Sequence, residues 1–230
     1  MPIRVIIVLL LAVSFVKGYT QSRFKNKNDS LLFAQADSAF ASASRYADSM
    51  LSFTKVLLSR ATSSAGSLSL ANIHNAMGWA YMHSGFLDSS VNHLYTAWQL
   101  FGKANDTNGI IRACINISEV YTKQNKIADA LQYLTQADSL CTASGNIPYH
   151  TNVQRQLGVV YREAKDYKRA AAYLNLALAG FQEMQDDFRY ISTGISLSIL
   201  YRNLKLPDSS LYILYQCNAI DSRQAASPYR

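Results

Sequence analysis

The chain has 230 residues, 49% of them hydrophobic and 16% charged, with a formal net charge of +7. That apolar content excludes a disordered chain, and three cysteines, an odd number, exclude a disulfide-stapled scaffold. The positive charge is spread along the chain instead of forming a basic stripe with interleaved aromatic residues, which excludes a nucleic-acid binder.

The first element is a leader. Met1-Pro2-Ile3-Arg4 is a short basic start, and Val5–Val16 is apolar apart from Ser14. These twelve residues make about 18 Å of helix, short of the roughly 30 Å hydrocarbon core of a bilayer. Val16-Lys17-Gly18 offers small residues where a signal peptidase reads. A signal peptide over 1–18 is expected, giving a periplasmic or secreted protein. Lys17 beside the cut leaves an uncleaved N-terminal membrane anchor as the alternative. No Cys directly follows the leader, so a lipid anchor is not expected. Residues 19–28, with Arg23, Lys25 and Lys27, read as a polar basic tether.

A degenerate hairpin is expected over 29–64. Its first helix, Leu31–Ala43, would be capped by Asp29 or Ser30, and Tyr46–Phe53 matches Leu87–Leu94 with a one-residue offset. Repeats then follow over 68–104, 108–144, 148–185 and 188–220, with a disordered tail at 221–230. The evidence for them is a fixed period: Tyr81, Tyr121, Tyr161 and Tyr201 stand forty residues apart. Three residues before each stands Gly78, Ser118, Gly158 or Ser198, and nine after stands Ser90, Ala130, Ala170 or Ser210. Thirteen after comes Leu94, Leu134, Leu174 or Leu214, and sixteen after comes Ala97, Ala137, Ala177 or Cys217. Small residues in fixed columns mean that two helices cross closely there, since a large side chain would hold the backbones apart. Apolar residues recur at three and four, and nothing alternates as a strand would, so the array is expected to be all-α.

Leu157-Gly158-x-x-Tyr161 followed by Ala170, Leu174 and Ala177 resembles the tetratricopeptide (TPR) pattern, and Gly78-x-x-Tyr81 with Ser90, Leu94 and Ala97 is a second match. The usual Trp is replaced by His74, Cys114, Gln154 or Gly194, and the period is forty instead of thirty-four. The variant is similar to the longer-helix subgroup of kinesin light chains and many bacterial signalling proteins. The resemblance implies a right-handed α–α superhelix, a TPR solenoid of about five helical hairpins. It also implies a concave groove, lined by the first helix of each pair, in which protein or peptide partners lie. The positions expected to face it are Asn72, Asn75, Trp79, Met82 and His83; then Arg112, Ile115, Glu119 and Lys123; then Asn152, Arg155, Arg162 and Glu163; then Ile195, Arg202 and Asn203. Basic residues outnumber acids there, so a segment of acidic character is the expected ligand. The Lys/Asn pattern that clamps a C-terminal carboxylate in some family members does not line up, so chaperone tails are not expected.

No catalytic, cofactor or metal constellation stands out, and an enzyme is not expected. His74, His83, His93 and His150 show no metal-ligand helical spacing. Cys114, Cys141 and Cys217 read as buried thiols. The last helix, Asp208–Ile220, is expected to turn Leu211, Leu214 and Cys217 inward. Tyr212, Ile213 and Tyr215 would then be left for self-association or partner docking. Exported arrays of this look often form the sensing half of bacterial membrane kinases or transcription regulators. No second apolar stretch or output domain follows here, so a chain acting alone and a shortened relative of such a sensor both remain open. The leading reading is an exported scaffold for protein–protein interaction. The alternative is a signal-transduction sensor module with a membrane-anchored signalling partner.

Overall fold

The computed structural model describes residues 47–61 and 65–225, together with Asp29, Leu31, Ala34 and Gln35. The expected leader and tether, most of the helix expected at Leu31–Ala43 and the end of the tail lie outside the described residues. Among the described residues every element is an α-helix: α1 Ala47–Arg60, α2 Ser67–His83, α3 Leu87–Lys103, α4 Thr107–Lys123, α5 Ile127–Ser144, α6 Ile147–Glu163, α7 Tyr167–Glu183, α8 Asp187–Asn203 and α9 Pro207–Ala225. The chain divides within α4 into two compact units, one ending at Ala113 and the other beginning at Cys114.

The regularity has a local cause. Positive φ falls at Gly85, Asn105, Asn125, Gly145, Lys165, Gln185 and Lys205, one position every twenty residues. Each stops a helix with the same paired bonds. Phe86 N–H donates to Tyr81 C=O at 2.9 Å and Gly85 N–H to Met82 C=O at 3.3 Å; the pattern repeats from Lys126 to Tyr121 and from Asp166 to Tyr161. This is the Schellman stop, in which a left-handed residue satisfies two of the last carbonyls. The forty-residue tyrosines sit three residues inside it, where the motif wants an apolar contact across the turn. Tyr81 meets Phe86 edge-on at 6.3 Å, and Lys126 Nζ lies 5.7 Å over Tyr121. Helix starts are fixed too: Asp166 and Asp186 each accept a backbone N–H three residues on, at 3.0 Å.

In the first unit α2 is buried on most of its circumference. Leu57 of α1 packs on Ile73 and Met77, while Ala97 and Phe101 of α3 and Ala113 pack on Leu68 and Ala71. A Cβ on Gly78 would stand 2.5 Å from Leu94 Cγ and 3.1 Å from its backbone N, so only glycine lets α2 and α3 approach this closely. Ser90 Oγ donates to Gly78 C=O at 2.6 Å across the same crossing. Gly66 N–H, just ahead of α2, donates to Asp29 Oδ1 at 2.9 Å.

In the second unit Ala170, Leu174, Ala177 and Phe181 of α7 form one core with Tyr190, Leu197 and Leu200 of α8 and Ile213 and Cys217 of α9. Gly158 repeats the Gly78 geometry, its added Cβ 2.6 Å from Leu174 Cγ. The last helix departs from the expected facing. Ile213 is buried at 9% exposure, whereas Leu211 and Leu214 are 64% and 40% exposed beside Tyr212 and Tyr215. The reason is contextual: α9 packs on α8, and no further described helix lies along its other side. Helix α9 also continues through Ala225, past the expected tail start, because Asp221–Ala225 holds no breaker and Pro228 is the first one met.

Candidate functional site

The structure separates the expected groove residues into several environments. Asn72, Asn75, Met82 and Ile115 are buried and offer no exposed surface. For Asn75 and Met82 this corrects the expected facing, and the cause is the packing of α1, α3 and the start of α4 around α2. Trp79 tilts over His83 with centroids 3.7 Å apart. Arg112 donates to Asn72 Oδ1, and its guanidinium stands 5.3 Å over Phe101. Ile195, Arg202 and Asn203 are exposed on α8.

Within the second unit four expected residues, Glu119, Lys123, Arg162 and Glu163, come together. Glu119 and Lys123 of α4 and Arg162 of α6 line an open cavity of about 390 Å³ with Glu163, Thr122, Asn125, Gln156 and Val159. The face of α6 supplies residues 156, 159, 162 and 163, the three-and-four spacing of one helical stripe. Arg162 bonds Glu163 through Nη2 at 2.8 Å and Nε at 3.1 Å, and reaches Ser196 C=O at 3.4 Å. Arg155 Nε donates to Asn152 Oδ1 at 3.1 Å. Burial draws the Arg155 pKa below the usual arginine value; Glu119 opposes the shift and Arg189 adds to it.

Gln156 is the residue sequence reasoning missed. It is 2% exposed, and its Nε2 has no hydrogen-bond partner among the described residues. A buried amide donor left unsatisfied costs about 1–3 kcal/mol. Its place beside Leu157 and Gly158 reads as core, so only the three-and-four step to Val159 and Arg162 hints at the cavity.

Outside the cavity two histidines meet between α2 and α3. His74 Nδ1 and His93 Nδ1 are 2.9 Å apart, and His93 stacks on Tyr81 at 5.2 Å. Burial, then His93, lowers the His74 pKa to about 4; burial, then Lys55, lowers that of His93. Tyr121–Tyr133 and Tyr161–Tyr173 occupy the place of Tyr81–His93 in later hairpins, stacked at 5.8 and 5.6 Å. Cys114, Cys141 and Cys217 are buried, none in a disulfide. Burial, then Asp138, pushes the Cys141 thiol up to about 11, which keeps it protonated and inert. Among the described residues no group of three or more His, Cys, Asp or Glu could hold a metal ion, and no helix is long and apolar enough to cross a membrane.

No protein-family model matches the chain, and no curated protein does. Solved structures do match in fold. A Rap protein complexed with Competence and Sporulation Factor superposes with a TM-score of 0.76 at 15% identity, over 85% of this chain and 54% of that one. The Rap conjugation gene regulator of plasmid pLS20, in complex with the Phr* peptide, gives 0.72 at 18% identity, over 86% and 54%. Nearly identical TPR-like repeats of a putative kinesin light chain from Podosopora anserina give 0.60 at 14% identity, over 88% and 100%. The chain spans about half the length of these two Rap chains. The fold is therefore of the tetratricopeptide type, all-α and built from helical hairpins.

Proposed function

We propose that this chain is an exported tetratricopeptide scaffold that binds a protein or peptide partner on the α4 and α6 faces of its second unit. The observation that carries the reading is the cavity of about 390 Å³, polar except for Val159, with a buried Gln156 donor that no group among the described residues satisfies. One structure of like fold is in complex with the Phr* peptide and another with Competence and Sporulation Factor, which supports this class of partner. Export rests on the apolar segment at Val5–Val16, with a periplasmic or secreted location if it is cleaved and membrane anchoring if it is not. A sensor that passes its ligand state to a membrane-anchored signalling partner is the second reading, favoured by the likeness to a conjugation gene regulator. The exposed Leu211, Tyr212, Leu214 and Tyr215 are a second contact surface, for self-association or partner docking.

Site-directed photocrosslinking in intact cells tests the groove. A benzophenone side chain at Val159, in the cavity, is expected to trap a defined partner. The same group at Thr135, exposed on α5, is expected to trap none. Equal labelling at both positions, or none at Val159, would overturn the reading.

A further inference from the structure

We infer that the turns inside the hairpins of the second unit form one basic edge, which docks on a bilayer surface of anionic lipid headgroups. Charge that is spread along the sequence gathers there because the forty-residue period repeats these turns. Residues 121–129, 161–169 and 201–209 hold eight bases and four acids. The stretches that turn the chain at the other edge, 141–149 and 181–189, hold one base and three acids. Arg162 pairs with Glu163 at 2.8 Å and Arg169 with Asp166 at 2.6 Å. Lys123, Lys126, Lys165, Lys168, Arg202 and Lys205 are exposed and enter no ion pair among the described residues. Asp129 and Asp208 are the acids left to oppose them. The turns are neighbours. Lys123 and Asn125 of the first border the same cavity as Arg162 and Glu163 of the second, and Arg162 reaches Ser196 C=O on α8, which leads into the third.

Helix dipoles do not account for this pattern. Helices α4, α6 and α8 end at the basic edge with Lys123, Arg162 or Arg202 in the last turn, as a C-terminal dipole favours. Helices α5 and α7 end at the other edge under the same dipole, with no base in the last turn. Helix α7 begins at the basic edge with Lys168 and Arg169 and no acid in its first turn, against its dipole. Lys165 and Lys205 also hold the left-handed positions of their turns, at φ +61° and +58°, where Gly145 stands at the other edge. Lysine is less at ease there than glycine, so the charge is kept against the backbone preference.

The chemistry of the edge fits a lipid surface. Five of the six unpaired cations are lysines, mobile point charges suited to a fluid headgroup layer, whereas a fixed carboxylate or phosphate is best met by the arginine fork. Leu204 and Leu206, 38% and 47% exposed, flank Lys205 in the third turn, an apolar pair able to enter the headgroup boundary. Tyr121 and Tyr161 stack on Tyr133 and Tyr173, so their rings are not free to stack on nucleic-acid bases.

Flotation of the full chain with vesicles tests the edge. One set is phosphatidylglycerol and phosphatidylcholine in equal parts, the other phosphatidylcholine alone. Each base near an anionic leaflet strengthens binding about fivefold. The parent is expected to prefer the mixed vesicles, and to lose the preference at about 1 M salt, where charges are screened within about 3 Å. Lys165→Gln with Lys205→Gln is expected to weaken the preference by about tenfold or more. Gln185 holds φ +55° at the matching turn position, so the backbone accepts that change. Arg189→Gln, at the other edge, is expected to leave the preference unchanged. The segment Val5–Val16 is the same in every variant, so differences among them report the edge. Equal binding to both vesicle types, a preference untouched by the lysine changes, or an equal loss with Arg189→Gln would each overturn the proposal. Tighter binding of a soluble polyglutamate peptide than of mixed vesicles would assign the edge to an acidic protein and overturn it as well. None of the substituted residues lines the α4–α6 cavity, so the crosslinking result at Val159 stands or falls separately.

Discussion

Hairpins α6–α7 and α8–α9 share one register and finish in different states. Leu174 is fully buried, with Gly158 of α6 against it and α8 beyond, whereas Leu214, forty residues on in the same column, is 40% exposed. The sequence column specifies which residue meets its own hairpin partner. Whether that residue is sealed depends on the next helix along, which lies outside the hairpin. The energetic content of the repeat is thus carried by pairs of neighbouring hairpins, as expected for stacked units.

The largest effect separates those two leucines. Leu174→Ala is expected to cost about 2–5 kcal/mol, the range for a fully buried leucine, and Leu214→Ala less than about 1 kcal/mol. Urea denaturation of the two variants checks this, and equal losses would break the comparison. Next comes the crossing itself. Gly158→Ala places a methyl 2.6 Å from Leu174 Cγ and is expected to cost about 1–3 kcal/mol. Ser198→Ala, in the same column, removes only a hydroxyl bonded to its own helix at Ile195 C=O, and should cost less than about 1 kcal/mol.

Acid sharpens a second contrast, between the His74–His93 hairpin and the tyrosine-stacked hairpin of Tyr161 and Tyr173. The folded pKa of His74 is lowered to about 4 from 6.5, so the unfolded chain binds the proton more readily. Stability from this pair is present above pH 6.5 and is lost as pH falls toward 4. The loss should be about 1–2 kcal/mol after allowance for a partly exposed ring. Hydrogen exchange should show α2 and α3 loosening in that window while α6 and α7 do not, and His74→Phe should flatten the response. The smallest effect lies in the turns. Lys165 holds φ at +61°, a conformation that costs a side chain about 1 kcal/mol. Lys165→Gly should raise stability by roughly 0.5 kcal/mol, whereas Gly85→Ala, at φ +85°, should lower it by about 1 kcal/mol. Thermal melts of both variants decide it.

Much of the fold was legible because its determinants are local. Tyr columns mark the Schellman stops, and Gly78 and Gly158 mark close crossings, each within one hairpin. The misjudged features depend on neighbours. Asn75 and Met82 lie on a helix wrapped by three others, so no single stripe of α2 faces solvent. Ile213 and Leu214 exchange roles because, among the described helices, only α8 packs along α9. His74 and His93 meet across facing helices, nineteen residues apart, where helical spacing carries no information. Gln156 reads as core from its neighbours, and its unpartnered amide is visible only once the side chains around it are placed. Glu119, Lys123 and Arg162 were legible as a set, since a forty-residue repeat brings equivalent faces of successive first helices side by side.

Amide hydrogen exchange of the chain with and without its crosslink-identified partner tests the central claim most directly. Slowed exchange confined to the cavity segments, 119–125 and 156–163, is the expected result. Protection centred instead on the exposed face of α9 around Leu211–Tyr215, with the cavity segments unchanged, would contradict it.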